Sequence, residues 1–154
     1  MKAAPSDKQI EQFNAEGYLL IPAGFTDDEV ARMQEEADFI LELVINSSLY
    51  HGKMDGRLDL CGTEDGCHMV RKIQPINDLS GYLTSISADE RLLEPMRCIM
   101  GEEPELMEEK LNYKQPLGRT VEGLEAKNPG SRFPIHNDWA YYACLLYTSD
   151  AADA

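Results

Sequence analysis

Phe133-Pro134-Ile135-His136-Asn137-Asp138-Trp139 is the stretch on which the reading of this chain turns. From residue 132 onward the sequence reads as extended, and in an extended strand the side chains at i and i+2 leave the same face. His136 and Asp138 then project together while Asn137 points away. One imidazole and one carboxylate are two members of the two-histidine, one-carboxylate set that holds Fe(II) on one face and leaves its other positions open. His136 and Asp138 are therefore the candidate metal ligands. The same residues also suit a polar strand facing solvent, so the pattern needs support from the rest of the chain.

On the C-terminal side, Cys144-Leu145-Leu146-Tyr147-Thr148-Ser149-Asp150-Ala151-Ala152-Asp153 is similar to the conceptual translation of a transposon-end sequencing adapter. Residues 144–154 are read as a non-native, dispensable tail, and 1–143 as one domain. On the N-terminal side, Ser6-Asp7-Lys8-Gln9 is a capping box that opens a helix at 7–16, and Gly17 stops it. Tyr18-Leu19-Leu20-Ile21 predicts a strand that Pro22 ends. A second box, Thr26-Asp27-Asp28-Glu29, opens a longer helix at 27–46, in which Val30, Met33, Ala37, Ile40, Leu41 and Val44 recur at helical spacing. The chain from 47 to 66 reads as a long glycine-bearing loop, and 69–74 as a strand. Helices are expected at 79–86 and at 88–100, the second behind the box Ser87-Ala88-Asp89-Glu90 and stopped by Gly101. A strand over 105–115 and a loop over 119–131 complete the pattern.

With 14 Lys+Arg against 28 Asp+Glu, the net charge of −14 argues against a partner built of phosphates, which proteins hold with lysine and arginine. Nucleic acid is not an expected partner. No run reaches the roughly 18 apolar residues of a membrane span, and the start Met1-Lys2-Ala3-Ala4-Pro5 lacks the apolar stretch of a signal peptide. No membrane partner is expected, and a soluble, cytoplasmic protein is. Cys61, Cys67, Cys98 and Cys144 form no C-x-x-C pair and are expected to be reduced.

Three groups of residues together carry a resemblance. Phe13-Asn14-Ala15-Glu16-Gly17-Tyr18 runs into an apolar stretch ending at Pro22 and then an acidic box opening a long helix. Tyr113-Lys114-Gln115-Pro116 is followed by a glycine-bearing loop and then by the stretch around His136 and Asp138. Over about residues 7–143 this order resembles the phytanoyl-CoA dioxygenase family. The resemblance implies an α+β chain in which N-terminal helices precede a double-stranded β-helix, the jelly-roll or cupin-like fold, present here as its N-terminal part. It implies an oxygenase that uses Fe(II), the cosubstrate 2-oxoglutarate and dioxygen on a small-molecule or acyl substrate. His136 and Asp138 match the family's first two iron ligands. The carboxylate of Asp138 points to hydroxylation, since halogenating relatives carry a small residue in its place. Lys72, in Val70-Arg71-Lys72-Ile73-Gln74, falls where the family places a strand lysine on 2-oxoglutarate, a sensible partner for a dianion; a lysine facing solvent is the alternative. Trp139 and Tyr141 are candidate substrate neighbours, or simply core.

The resemblance also implies a third iron ligand and a 2-oxoglutarate arginine on later strands, and His51 and His68 precede the motif and match neither. Two ligands alone imply weak iron binding, and a sheet cut after its H-x-D strand implies an open edge and poor solubility. The rival from another class is a non-catalytic cupin-like binding module. A competing metal site is Cys61, Cys67 and His68 with His51 nearby, although its spacing departs from the short pairs of structural zinc sites. The acids Asp55, Asp59, Glu64 and Asp65 do not match a calcium loop and are expected on a solvated loop.

Overall fold

The structure, a computed structural model, describes residues 4–127. His136, Asp138, Trp139, Tyr141 and the tail at 144–154 lie outside the described residues.

Helix α1 (Asp7–Glu16) starts as the sequence predicts: Ser6 donates its backbone N–H to Gln9 Oε1 at 3.0 Å, and Gly17 closes the helix at φ 79°. Tyr18, Leu20 and Ile21 follow, largely exposed, and the strand expected at 18–21 has no ladder partner among the described residues. An apolar run forms a strand only where a neighbouring backbone completes its hydrogen bonds.

Helix α2 (Asp27–Tyr50) is capped by the Thr26 hydroxyl, which accepts from Glu29 N at 3.2 Å, while Glu29 Oε2 accepts from Thr26 N at 2.8 Å. Ile40, Val44, Ile45 and Ser48 form its buried face. The helix runs four residues past the expected end at 46, although its apolar period stops at Ile45. Ser48 allows this by donating its hydroxyl to Val44 O at 2.7 Å, so the polar residue is satisfied inside the helix.

The long loop expected at 47–66 holds a strand, β1 (Leu58–Gly62), which pairs antiparallel with β2 (His68–Ile73). The Thr63 hydroxyl and amide both bond Cys67 O in the hairpin turn, at 2.9 and 2.8 Å. Helices α3 (Gly81–Ser87) and α4 (Glu90–Met100) come next, followed by β3 (Leu111–Pro116), which pairs antiparallel with β2. The sheet order is thus β1-β2-β3. Two boundaries differ from expectation. The cap of α4 is Asp89, which accepts from Arg91 N, whereas Ser87 ends α3 and donates to Glu109 Oε1 at 2.7 Å. The strand expected from 105 begins only at Leu111, beyond the glutamates of 105–109.

Pairing shifts between Asp59–Lys72 and Leu60–Val70, so Arg71 is an extra residue in β2. That bulge turns Val70 and Ile73, three positions apart, onto one face with Leu58 and Leu60. Ile40, Val44 and Ile45 of α2 pack on this face, and Ile76, Val121 and Leu124 complete the core. Tyr113 joins it from β3, its hydroxyl donating to Ala37 O at 2.7 Å, and burial pushes its pKa up. The helices thus cover one face of the sheet and leave the other to the polar residues of its strands.

Arg91 ties the start of α4 to that of α2. It donates to both oxygens of Glu29 at 2.7 and 2.9 Å and to both of Asp89 at 2.7 and 2.9 Å, and it lies 4.5 Å over the Phe25 ring. These bonds hold both carboxyls at about 2, from ordinary values of 4.5 for Glu29 and 3.8 for Asp89. Lowered folded-state values mean that the clamp stabilises the fold fully above about pH 4.5 and is lost as pH falls toward 2. Urea midpoints measured at pH 7, 4 and 3 are expected to fall through that window, and Arg91→Ala to flatten the fall.

Candidate functional site

The side of the sheet opposite α2 is built around Asp59. In the alternation Leu58-Asp59-Leu60-Cys61, the leucines face α2, so Asp59 and Cys61 face the other way, yet both are buried. Asp59 Oδ2 accepts from Arg71 Nε at 2.9 Å and Nη2 at 2.5 Å, and its Oδ1 faces Lys127 Nζ at 3.4 Å and the Cys61 thiol at 4.0 Å. Burial alone would raise the pKa of this carboxyl; the bonds and charge of Arg71, with Lys127 added, outweigh it and hold the group below its ordinary value. The Arg71 guanidinium is shifted up by the same bonds.

Lys127 is held there by backbone. It forms a parallel bridge with Cys61, its N–H donating to Leu60 O at 2.9 Å and its carbonyl accepting from Gly62 N at 3.0 Å. Lys127 thus pairs with β1 on the edge opposite β2.

Lys72 stands directly opposite Asp59 in the β1–β2 ladder and opposite Asn112 in the β2–β3 ladder, so it shares the polar face with Asp59. The bulge decides this, since it puts Lys72 out of phase with Val70 and Ile73. Lys72 is half-buried, and its Nζ donates to Gln74 Oε1 at 2.7 Å. Gln74 in turn donates to Glu108, which also accepts from Lys110. The Lys110 bond is the main cause of the lowered Glu108 pKa, to which the nearby charge of Lys72 adds a little.

The competing metal residues do not come together. Cys61 is buried in β1, and the His68 ring nitrogen Nδ1 accepts from Val121 N at 2.9 Å. His51 sits at the end of α2 with Nδ1 2.8 Å from Ser47 O. Among the described residues no group of three or more His, Cys, Asp or Glu side chains can hold a metal ion. The acids of the loop are engaged locally: Asp55 accepts from Arg57 N, and Asp65 from Thr63 and Cys67 N. A separate groove of about 560 Å³ lies between α4 and 104–112, lined by Ile76, Leu83, Leu92, Met96, Leu106 and Leu111 among others. Its lining is mainly apolar, and Glu109 at its wall is engaged by Ser87 and Thr84. Among the described helices, none is long and apolar enough to cross a membrane.

Asp59 lies buried on β1 and not on the solvated loop expected of it, and its meeting with Arg71 and Lys127 escapes the sequence reading because 47–66 and 119–131 both read as loops. An acid between two leucines in L-D-L-C is the signal that could have found the first of them.

No family model matches the chain, and no solved structure does. The chain is similar to the ectoine dioxygenase of Sphingopyxis alaskensis, at 29% identity over 109 residues, 71% of this chain and 33% of that protein. It is likewise similar to the ectoine dioxygenase of Halomonas elongata, at 27% identity over 134 residues, 87% of this chain and 34% of that protein. The chain thus spans about a third of the length of the curated relatives it matches, and its similarity is to enzymes named as dioxygenases.

Proposed function

We propose that this chain forms the N-terminal part of an Fe(II)- and 2-oxoglutarate-dependent oxygenase that hydroxylates an unactivated C–H bond of a small-molecule or acyl substrate. The observation that carries the reading is the similarity of most of the chain to two ectoine dioxygenases. The sheet supports it: one face is sealed by α2, and the other bears a half-buried cation where a dianionic cosubstrate needs one. On this reading the three antiparallel strands belong to a jelly roll whose interior is the polar face.

The donor set fits the metal. His136 and Asp138 offer one neutral nitrogen and one carboxylate, a combination suited to Fe(II) that leaves positions open for a chelating acid. When bound, iron supplies the activation of dioxygen, coupled to decarboxylation of 2-oxoglutarate to succinate. Lys72 binds a carboxylate of the cosubstrate, and Gln74, tied to Glu108, holds the ammonium at its station. The apolar packing of α2 on the sheet keeps water from that side. On this reading Trp139 and Tyr141 are the candidate neighbours of the substrate.

Succinate release in the protein extended to the length of its relatives tests the reading. It is expected to require both Fe(II) and 2-oxoglutarate, and release independent of either overturns it. Lys72→Ala is expected to raise the KM for 2-oxoglutarate by about tenfold or more, the worth of a hydrogen bond to a charged group, and to leave the iron dependence in place. An unchanged KM removes Lys72 from the site.

A further inference from the structure

Among the described ion pairs of this acidic chain, three arginines each face more than one carboxylate, and one carboxylate faces more than one cation. Arg57 lies between Asp55 and Asp78, Arg91 between Glu29 and Asp89, and Arg97 among Glu90, Glu94 and Glu103. In each case carboxylates outnumber the cation, as 28 acids against 14 bases lead one to expect. At Asp59 the ratio is reversed. One buried carboxylate serves both Arg71 and Lys127, and Lys72 stands opposite it in the ladder. The arginine and lysine side chains are 41% and 65% exposed, so the surplus charge faces outward from a buried acid.

We propose that Arg71 and Lys127 form a carboxylate-binding subsite on the polar face of the sheet, receiving the anionic group of a small organic substrate. The proposal rests on the reading of that face as the catalytic side. Arg71 spends its Nε and Nη2 edge on Asp59, and its Nη1 has no partner among the described residues. That leaves the Nη1–Nη2 edge of a planar fork, whose two parallel N–H groups match the two oxygens of a carboxylate. Lys127 Nζ, at 3.4 Å from Asp59, is loosely held and has two further N–H donors to offer. Two cations less one carboxylate leave a surplus of one positive charge, suited to a monoanion. Lys72 engages Gln74 and is set apart for the dianionic cosubstrate. Asp59 acts as a positioning residue: it fixes the arginine bulge and the lysine of another segment on one side of β1.

The test is titration of the 154-residue chain with acetate at low ionic strength, followed by backbone amide shifts. Saturable shifts are expected at residues 59–62, 71 and 127. Lys127→Gln, which leaves the Arg71–Asp59 pair in place, is expected to weaken acetate binding about tenfold. Arg71→Lys keeps the charge and removes the fork, and is expected to weaken it by a similar factor. Lys8→Gln, at an exposed position of α1, is expected to leave it within about twofold. Shifts that do not saturate, binding unaffected by Lys127→Gln, binding lost in Lys72→Gln alone, or phosphate bound more tightly than acetate would each overturn the subsite. Acetate binding needs neither iron nor 2-oxoglutarate, so the subsite and the oxygenase reading can fail separately, the second by the succinate assay.

Discussion

His136→Ala and Asp138→Ala are each expected to abolish succinate release in the protein extended to the length of its relatives. The loss should exceed the roughly 10- to 100-fold that follows when only a residue supporting a metal ligand is changed. Each variant removes a donor that no group of described side chains replaces. His51 and His68 are engaged at the end of α2 and with Val121, and among the described residues no other group of ligands assembles. Two further measurements separate loss of metal from loss of fold. Amide dispersion should be unchanged where the loss is of metal and not of fold. Fe(II) affinity should drop in both variants. Normal turnover by either one would remove His136 and Asp138 from the metal site.

Ile73→Ala is expected to cost about 3 kcal/mol, the usual penalty for emptying a filled aliphatic site in a core. Ile73 is fully buried on the middle strand, where the bulge at Arg71 brings it into register with Leu58 and beneath α2. Neighbours on a three-stranded sheet backed by a helix have little room to close the void. Against a total stability of about 5–15 kcal/mol for an ordinary domain, such a loss leaves a large share of molecules unfolded under mild urea. Leu20→Ala is the contrast. Leu20 is 68% exposed, and its truncation is expected to change stability by less than about 0.5 kcal/mol. Urea unfolding of the two variants beside the parent checks both, and a cost below about 1 kcal/mol for Ile73→Ala would contradict the core as drawn.

Local chemistry made some elements legible. Helix starts are written in a few contiguous residues, so Ser6 with Gln9 and Thr26 with Glu29 place α1 and α2 at their observed first residues. Gly17 and Gly101 stop α1 and α4 for the same reason, since a left-handed turn at φ 79° and 75° suits a residue without a side chain. Strands are less legible, because a strand is completed by a partner distant in sequence. Tyr18-Leu19-Leu20-Ile21 has strand composition without a described partner, whereas Leu58-Asp59-Leu60-Cys61-Gly62, among glycines and acids, has a partner in β2 and becomes a strand.

The candidate site divides in the same way. By itself the sequence offered the candidates: the His136 and Asp138 pair as metal ligands, Lys72 for a dianionic cosubstrate, and an acid excess that argues against a nucleic-acid partner. Only the tertiary structure decided that Lys72 lies on the polar face and that Asp59, Arg71 and Lys127 meet. The first depends on a bulge, which shifts the two-residue period of β2 by one position and is set by pairing with β1. The second brings together residues 12 and 68 positions apart, and no local pattern encodes which distant backbone will complete an edge.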